Sequence, residues 1–133
     1  MAIHHASPGE VIDIRPLGDR LAQAVTSTLA KSDQIEVIRL VLPAGKEIPP
    51  HKVASPMTVQ CLEGRVEFHA HDRWQTLEPG QMLYLDGGQM HAVKSVEHSS
   101  VLITLQQLPQ TVQRLVSPDS GSTETRQGPA DGS

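Results

Sequence analysis

Apolar and polar positions alternate in short runs along most of this chain, and turn-forming residues separate the runs. Residues 26–30, the turn-forming 31–33 and residues 34–42 predict a β-hairpin. In its second arm one face carries Ile35, Val37, Arg39 and Val41, and the other Glu36, Ile38, Leu40 and Leu42. Both faces are largely apolar, so this strand is expected to be covered on two sides. Pro43, Ala44 and Gly45 end it, and Pro49 and Pro50 mark a loop. Further strands are predicted over residues 57–62, 65–71, 74–77, 81–85, 91–95 and 99–105, with Glu63-Gly64, Asp72-Arg73, Glu78-Pro79-Gly80 and Asp86-Gly87-Gly88 as turns. In residues 65–71 the core face is Val66, Phe68 and Ala70; Arg65, Glu67, His69 and His71 read as solvated.

Short strands recurring with Gly, Pro and Asp between them indicate an all-β sandwich or barrel. Two segments fit either of two structures. Residues 17–25 read as a turn and strand or as one helical turn, and residues 106–116 as a last strand or a short helix after Pro109. Residues 1–10 read as a flexible end, residues 11–116 as one barrel domain, and the polar residues 117–133 as a disordered tail.

A chain of 133 residues fits one domain and can bury a core without staples. Its aromatics are Phe68, Trp74 and Tyr84, so the core must be aliphatic and a pocket has few stacking surfaces. The net charge of -4 comes with no basic run, which argues against nucleic acid and anionic membranes as partners. No apolar run approaches membrane length, the N-terminus lacks a signal-peptide pattern, and the single Cys61 suits a reducing compartment. A cytoplasmic protein is expected.

The chemistry-bearing residues cluster in two stretches. In residues 45–64, Gly45 is followed after five residues by His51, and Gly64 closes the stretch; in residues 80–95, Gly80, Gly88 and His91 recur at fixed spacing. These resemble the two motifs of the cupin family, G-x5-H-x-H-x3-4-E-x6-G and G-x5-P-x-G-x2-H-x3-N. The likeness covers roughly residues 34–105 and rests on two independent spacings. It implies a small, single-domain RmlC-like cupin: a double-stranded β-helix, or jelly-roll barrel, that pairs as a homodimer.

The family's metal site takes three His and one Glu, and here its motif is degenerate. Val53 stands at the second His position, Met57 at the Glu, Asp86 at the proline and Ser95 at the asparagine. Only His51 and His91 carry over as metal ligands. Two imidazoles leave most of the coordination sphere of a divalent Zn, Fe, Mn, Ni or Cu ion to water or substrate. Cys61, on the same strand face as Met57, is one candidate to complete a set, of copper-like character; Gln60 is another if a bulge turns it inward.

Val53, Met57, Val59, Cys61, Arg39 and Tyr84 are the expected pocket lining. Arg39 either reaches into the pocket to hold a carboxylate or phosphate, or sits at the sheet edge with its stem over apolar neighbours. Tyr84 lines the mouth or packs in the core. His69 and His71 form an H-x-H, read as two solvated histidines, since Val66, Phe68 and Ala70 take the core face. No nucleophile motif or phosphate-binding glycine loop is present. Three functions fit: a small-molecule binding module, a metal-dependent enzyme of dioxygenase or isomerase type, and a dimeric interaction protein with a vestigial pocket.

Overall fold

The hairpin forms as the alternation predicts, with β1 (Ser27–Lys31) antiparallel to β2 (Ile35–Leu42). The structure, a computed structural model, describes residues 4–107. Seven further strands follow: β3 (Glu47–His51), β4 (Met57–Glu63), β5 (Val66–Ala70), β6 (Arg73–Leu77), β7 (Met82–Leu85), β8 (His91–Ser95) and β9 (Ser99–Gln106). They form two antiparallel sheets, one in the order β1-β2-β9-β4-β7 and the other β3-β8-β5-β6. Residues 108–116, most of the expected last element, and the tail at 117–133 lie outside the described residues.

The inner faces of the two sheets meet in an aliphatic core. Leu42, Met57, Val59, Cys61 and Val101 come from the first sheet, with Leu85 from β7; Val66, Phe68, Ala70, Leu77 and Val93 come from the second. In β4 and β5 these residues are two apart, as a pleated strand with one buried face requires. A fully buried Val or Leu such as Val66 or Leu42 contributes about 1.5–3 kcal/mol over its exposed state. Gly64 has positive φ where β4 turns into β5, and a Cβ there would collide with Ser99. Only glycine allows that close approach.

The outer face of the first sheet is part-covered. Residues 17–25, open between strand and helical turn, contain a 3-10 helix at Gly18–Gln23 with Leu21 buried. The approach to this helix is held by Glu63, which accepts the Leu17 and Gly18 backbone N–H groups at 2.9 and 3.1 Å and the Ser100 hydroxyl at 2.8 Å. A bulge between Cys61 and Glu63 against β9 makes this possible. The extra residue, Leu62, is buried, and Glu63 turns to the outer face. Burial raises the Glu63 carboxyl pKa, but these hydrogen bonds and the Arg39 charge outweigh it and hold the group below its ordinary value.

Two elements depart from the sequence expectation. Pro49 and Pro50 do not end the sheet but belong to β3. That strand is at a sheet edge, where a missing N–H costs no ladder bond. His71 is not on β5; it sits in the following turn with φ 53°, so His69 and His71 do not share a strand face. At the N-terminal end, read as free, the Ala6 N–H donates to the Leu29 carbonyl at 2.8 Å and His4 pairs with Glu10 at 2.9 Å.

Candidate functional site

His51 and His91 meet because of a bulge. Along β3 and β8, Glu47 pairs with Lys94, Ile48 with Val93, and His51 with His91. Two residues, Pro49 and Pro50, therefore lie opposite Ala92 alone. Ile48 packs against the core, and strict alternation would send a residue three positions later to the outer face. The extra residue restores His51 to the inner face, beside His91. The ring centroids are 4.2 Å apart, with planes at 62°. Phe68 stacks on His91, at 5.5 Å and 16°.

Each imidazole is fixed by a backbone carbonyl two residues upstream. His51 Nδ1 lies 3.1 Å from the Pro49 carbonyl oxygen, and His91 Nδ1 lies 2.9 Å from that of Gln89. A carbonyl only accepts, so both Nδ1 atoms carry the proton and, in the neutral rings, both Nε2 atoms present a lone pair. His91 is 3% exposed and His51 is half-buried, so the pair opens to solvent on the His51 side. Burial, together with the neighbouring His51, lowers the His91 pKa to about 4 against the partial opposition of the Gln89 carbonyl. His91 is neutral at physiological pH.

The segment beside the pair is locked to the turn that leads into His91. The Gly88 N–H donates to the Val53 carbonyl at 2.7 Å. Gly87 lies so close to the Ala54 carbonyl that no Cβ fits.

The other expected site residues divide between the two faces. Val53 is half-buried against the core, and Met57, Val59 and Cys61 are buried on the inner face of β4. Arg39 and Tyr84 are corrections. Arg39 alternates with Leu40 and Leu42, which face the core, so it points to the outer face. There it is 5% exposed and donates to the Arg15 carbonyl at 3.1 Å, while its Nε has no partner. It clamps the N-terminal segment, neither lining the barrel nor lying at an open edge. Tyr84 pairs with Thr58 on the outer face, is 66% exposed, and donates its hydroxyl to Asp86 at 2.6 Å. Alternation places Phe68 in the core, but its stacking on His91 has no sequence signal, because the pairing of β5 with β8 is a tertiary fact.

The residues present do not fit a tightly held metal ion. Among the described residues, no group of three His, Cys, Asp or Glu side chains stands close enough to hold one. Cys61 therefore does not complete a set with the two imidazoles. Its thiol is wholly buried toward the other end of β4, 3.6 Å from the Glu63 carbonyl oxygen, and burial raises its pKa. The second sheet's outer face holds His69 and Trp74, with ring centroids 5.0 Å apart and Lys94 over the indole.

No protein-family model matches the chain, and no curated protein matches it. Solved structures do. A conserved protein of unknown function from Streptococcus pyogenes superposes with a TM-score of 0.62 at 21% identity, covering 82% of this chain and 96% of that one. A cupin superfamily protein from Desulfitobacterium hafniense gives 0.60 at 14% identity, covering 73% and 98%. An RmlC-like cupin with a double-stranded β-helix fold from Methanocaldococcus jannaschii gives 0.60 at 14%, covering 74% and 93%. The fold of this chain is the RmlC-like cupin double-stranded β-helix.

Proposed function

We propose that this cupin domain binds a small molecule at the His51–His91 pair and holds no metal tightly. One observation carries the reading: both Nδ1 atoms are committed to backbone carbonyls, which leaves two lone-pair nitrogens beside an apolar interior. Polar atoms fixed this way are what a largely apolar ligand site uses to orient its ligand. Val53 and Met57, apolar where metal-binding cupins place ligands, favour an organic ligand over an ion. A divalent ion held weakly by His51, His91 and water is the competing occupant, and an enzyme of dioxygenase or isomerase type would need it. The test is ligand-dependent thermal stabilisation of the intact chain and of His51→Ala, with and without chelator. The proposal expects stabilisation by organic ligands, insensitive to chelator and lost in the variant; stabilisation by added metal alone contradicts it.

Self-association is a second reading, supported by the first sheet's outer face. Met82 and Tyr84 are exposed there, and a shallow cleft of about 340 Å³ is lined by Ile35, Pro56, Tyr84, Thr104 and Leu105. An exposed apolar face is a common site for a second copy in a symmetric dimer. Sedimentation of the intact chain and of Tyr84→Glu tests this: a dimer that dissociates in the variant supports it, and a monomer at all concentrations overturns it. Among the described residues no helix is long and apolar enough to cross a membrane. A cytoplasmic setting is part of the proposal and rests on Cys61 being a free, buried thiol.

A further inference from the structure

We infer that the ligand taken at the His51–His91 pair is a neutral molecule that donates hydroxyl hydrogens, a vicinal diol on an apolar frame, and not a carboxylate or a phosphate. This rests on the reading of the pair as a binding site and adds the chemistry of what it selects.

Donors and acceptors come first. Each ring has one N–H, and the Pro49 and Gln89 carbonyls take both. What the neutral rings offer is two acceptors and no donor. An anionic oxygen placed there would set lone pair against lone pair. It could bind only by carrying a proton in or by breaking the hydrogen bonds that hold the rings. A hydroxyl supplies the missing hydrogen directly, and a vicinal diol supplies one to each ring.

Charge is the second part. A cationic ligand would also suit two lone pairs, but a buried cation needs a compensating carboxylate. Among the described residues no cluster of three His, Cys, Asp or Glu side chains is present to include one. A neutral donor has no such requirement.

The surroundings supply the third part. Ile48 and Val93 form the next inward-facing pair on the same two strands, and Phe68 lies flat on His91. A ligand entering on the half-buried His51 side therefore meets the part-buried aliphatic side chains of Ile48 and Val53, with Val93 and Phe68 buried behind them. A diol carried on a cyclohexane-sized frame matches an apolar body with one polar edge.

The experiment records long-range ¹H–¹⁵N correlations of the two rings in the intact chain, slightly above neutral pH and with chelator. Trans-1,2-cyclohexanediol, cyclohexanecarboxylate and inorganic phosphate are titrated separately, and ZnCl₂ in a parallel sample without chelator. The diol is expected to shift both Nε2 resonances while each Nδ1 stays protonated. Its Kd is expected to be lower than that of cyclohexanecarboxylate by at least about tenfold, the worth of one hydrogen bond made rather than opposed. In His51→Phe the diol should no longer shift the His91 ring. Preferential binding of the carboxylate or phosphate overturns the ligand class and leaves the binding reading standing. Tight binding of zinc alone overturns the inference and, with it, the metal-free reading. If no probe moves either ring, both fall.

Discussion

His51 and His91 stand directly opposite one another across β3 and β8, and only the extra residue at Pro49-Pro50 makes that possible. Without the bulge, the period of two along a strand would turn His51 away from the barrel. The pair is thus a property of strand register as much as of residue identity.

Deleting Pro50 tests this relationship. The deletion leaves His51 two positions after Ile48, so strict alternation alone keeps it on the inner face, opposite His91, while the core strands keep their pairing. Contacts between the two rings in nuclear Overhauser spectra should persist, and the chain should remain folded because β3 is an edge strand. Loss of the ring–ring contact would show that the bulge does more than absorb one extra residue between Ile48 and His51.

The buried His91 makes stability depend on pH. Its folded pKa is about 4, against about 6.5 in the unfolded chain. Between these values the unfolded state holds a proton that the folded state does not, so stability rises with pH in that window. The contribution is fully present above pH about 6.5 and is lost as pH falls through about 4, a change on the order of 3 kcal/mol. Urea midpoints across that range should fall for the native chain and fall less for His91→Gln, in which no proton can be taken up. Parallel curves for the two proteins would contradict the assignment.

Glu63 should act as the bolt for the N-terminal segment. Glu63→Ala removes the acceptor for the Leu17 and Gly18 N–H groups and leaves the buried Arg39 without its neighbouring negative charge. A cost on the order of 2 kcal/mol is expected. Hydrogen exchange should accelerate at Leu17 and Gly18 well before the core strands respond. Uniform acceleration would mean that the segment is not a separate unit.

Cys61 should be chemically silent. Its side chain has no exposure, and burial raises its thiol pKa. Only the thiolate reacts, so a disulfide reagent should leave the native chain unlabelled and react with one equivalent after denaturation. Rapid native-state labelling would contradict the packing of β4.

Much of this was legible from residue order, and the failures have physical causes. Alternation at Val66, Phe68 and Ala70 identified the core face of β5, and the spacings at Gly45, His51, Gly80, Gly88 and His91 marked the pair. Alternation also grouped Arg39 with Val37 and Val41 correctly. It could not say which face turned inward, since both faces of β2 are apolar and facing is decided by what packs there. Met82 and Tyr84 against Leu83 and Leu85 pose the same ambiguity in β7. The strand at Pro49-Pro50 was hidden because proline breaks a central strand but is tolerated at an edge. The coverage of Arg39 by residues 15–18 depends on Glu63, whose position follows from a bulge with no local signature.

The central claim is that two imidazoles beside apolar Val53 and Met57 form a ligand site without a resident ion. The metal content of the intact chain, purified without added metal, tests it most directly. The account predicts far less than one transition-metal ion per chain, because two neutral nitrogens supply too few donors to retain one. One ion per chain, surviving dialysis against chelator and lost in His51→Ala, would contradict it.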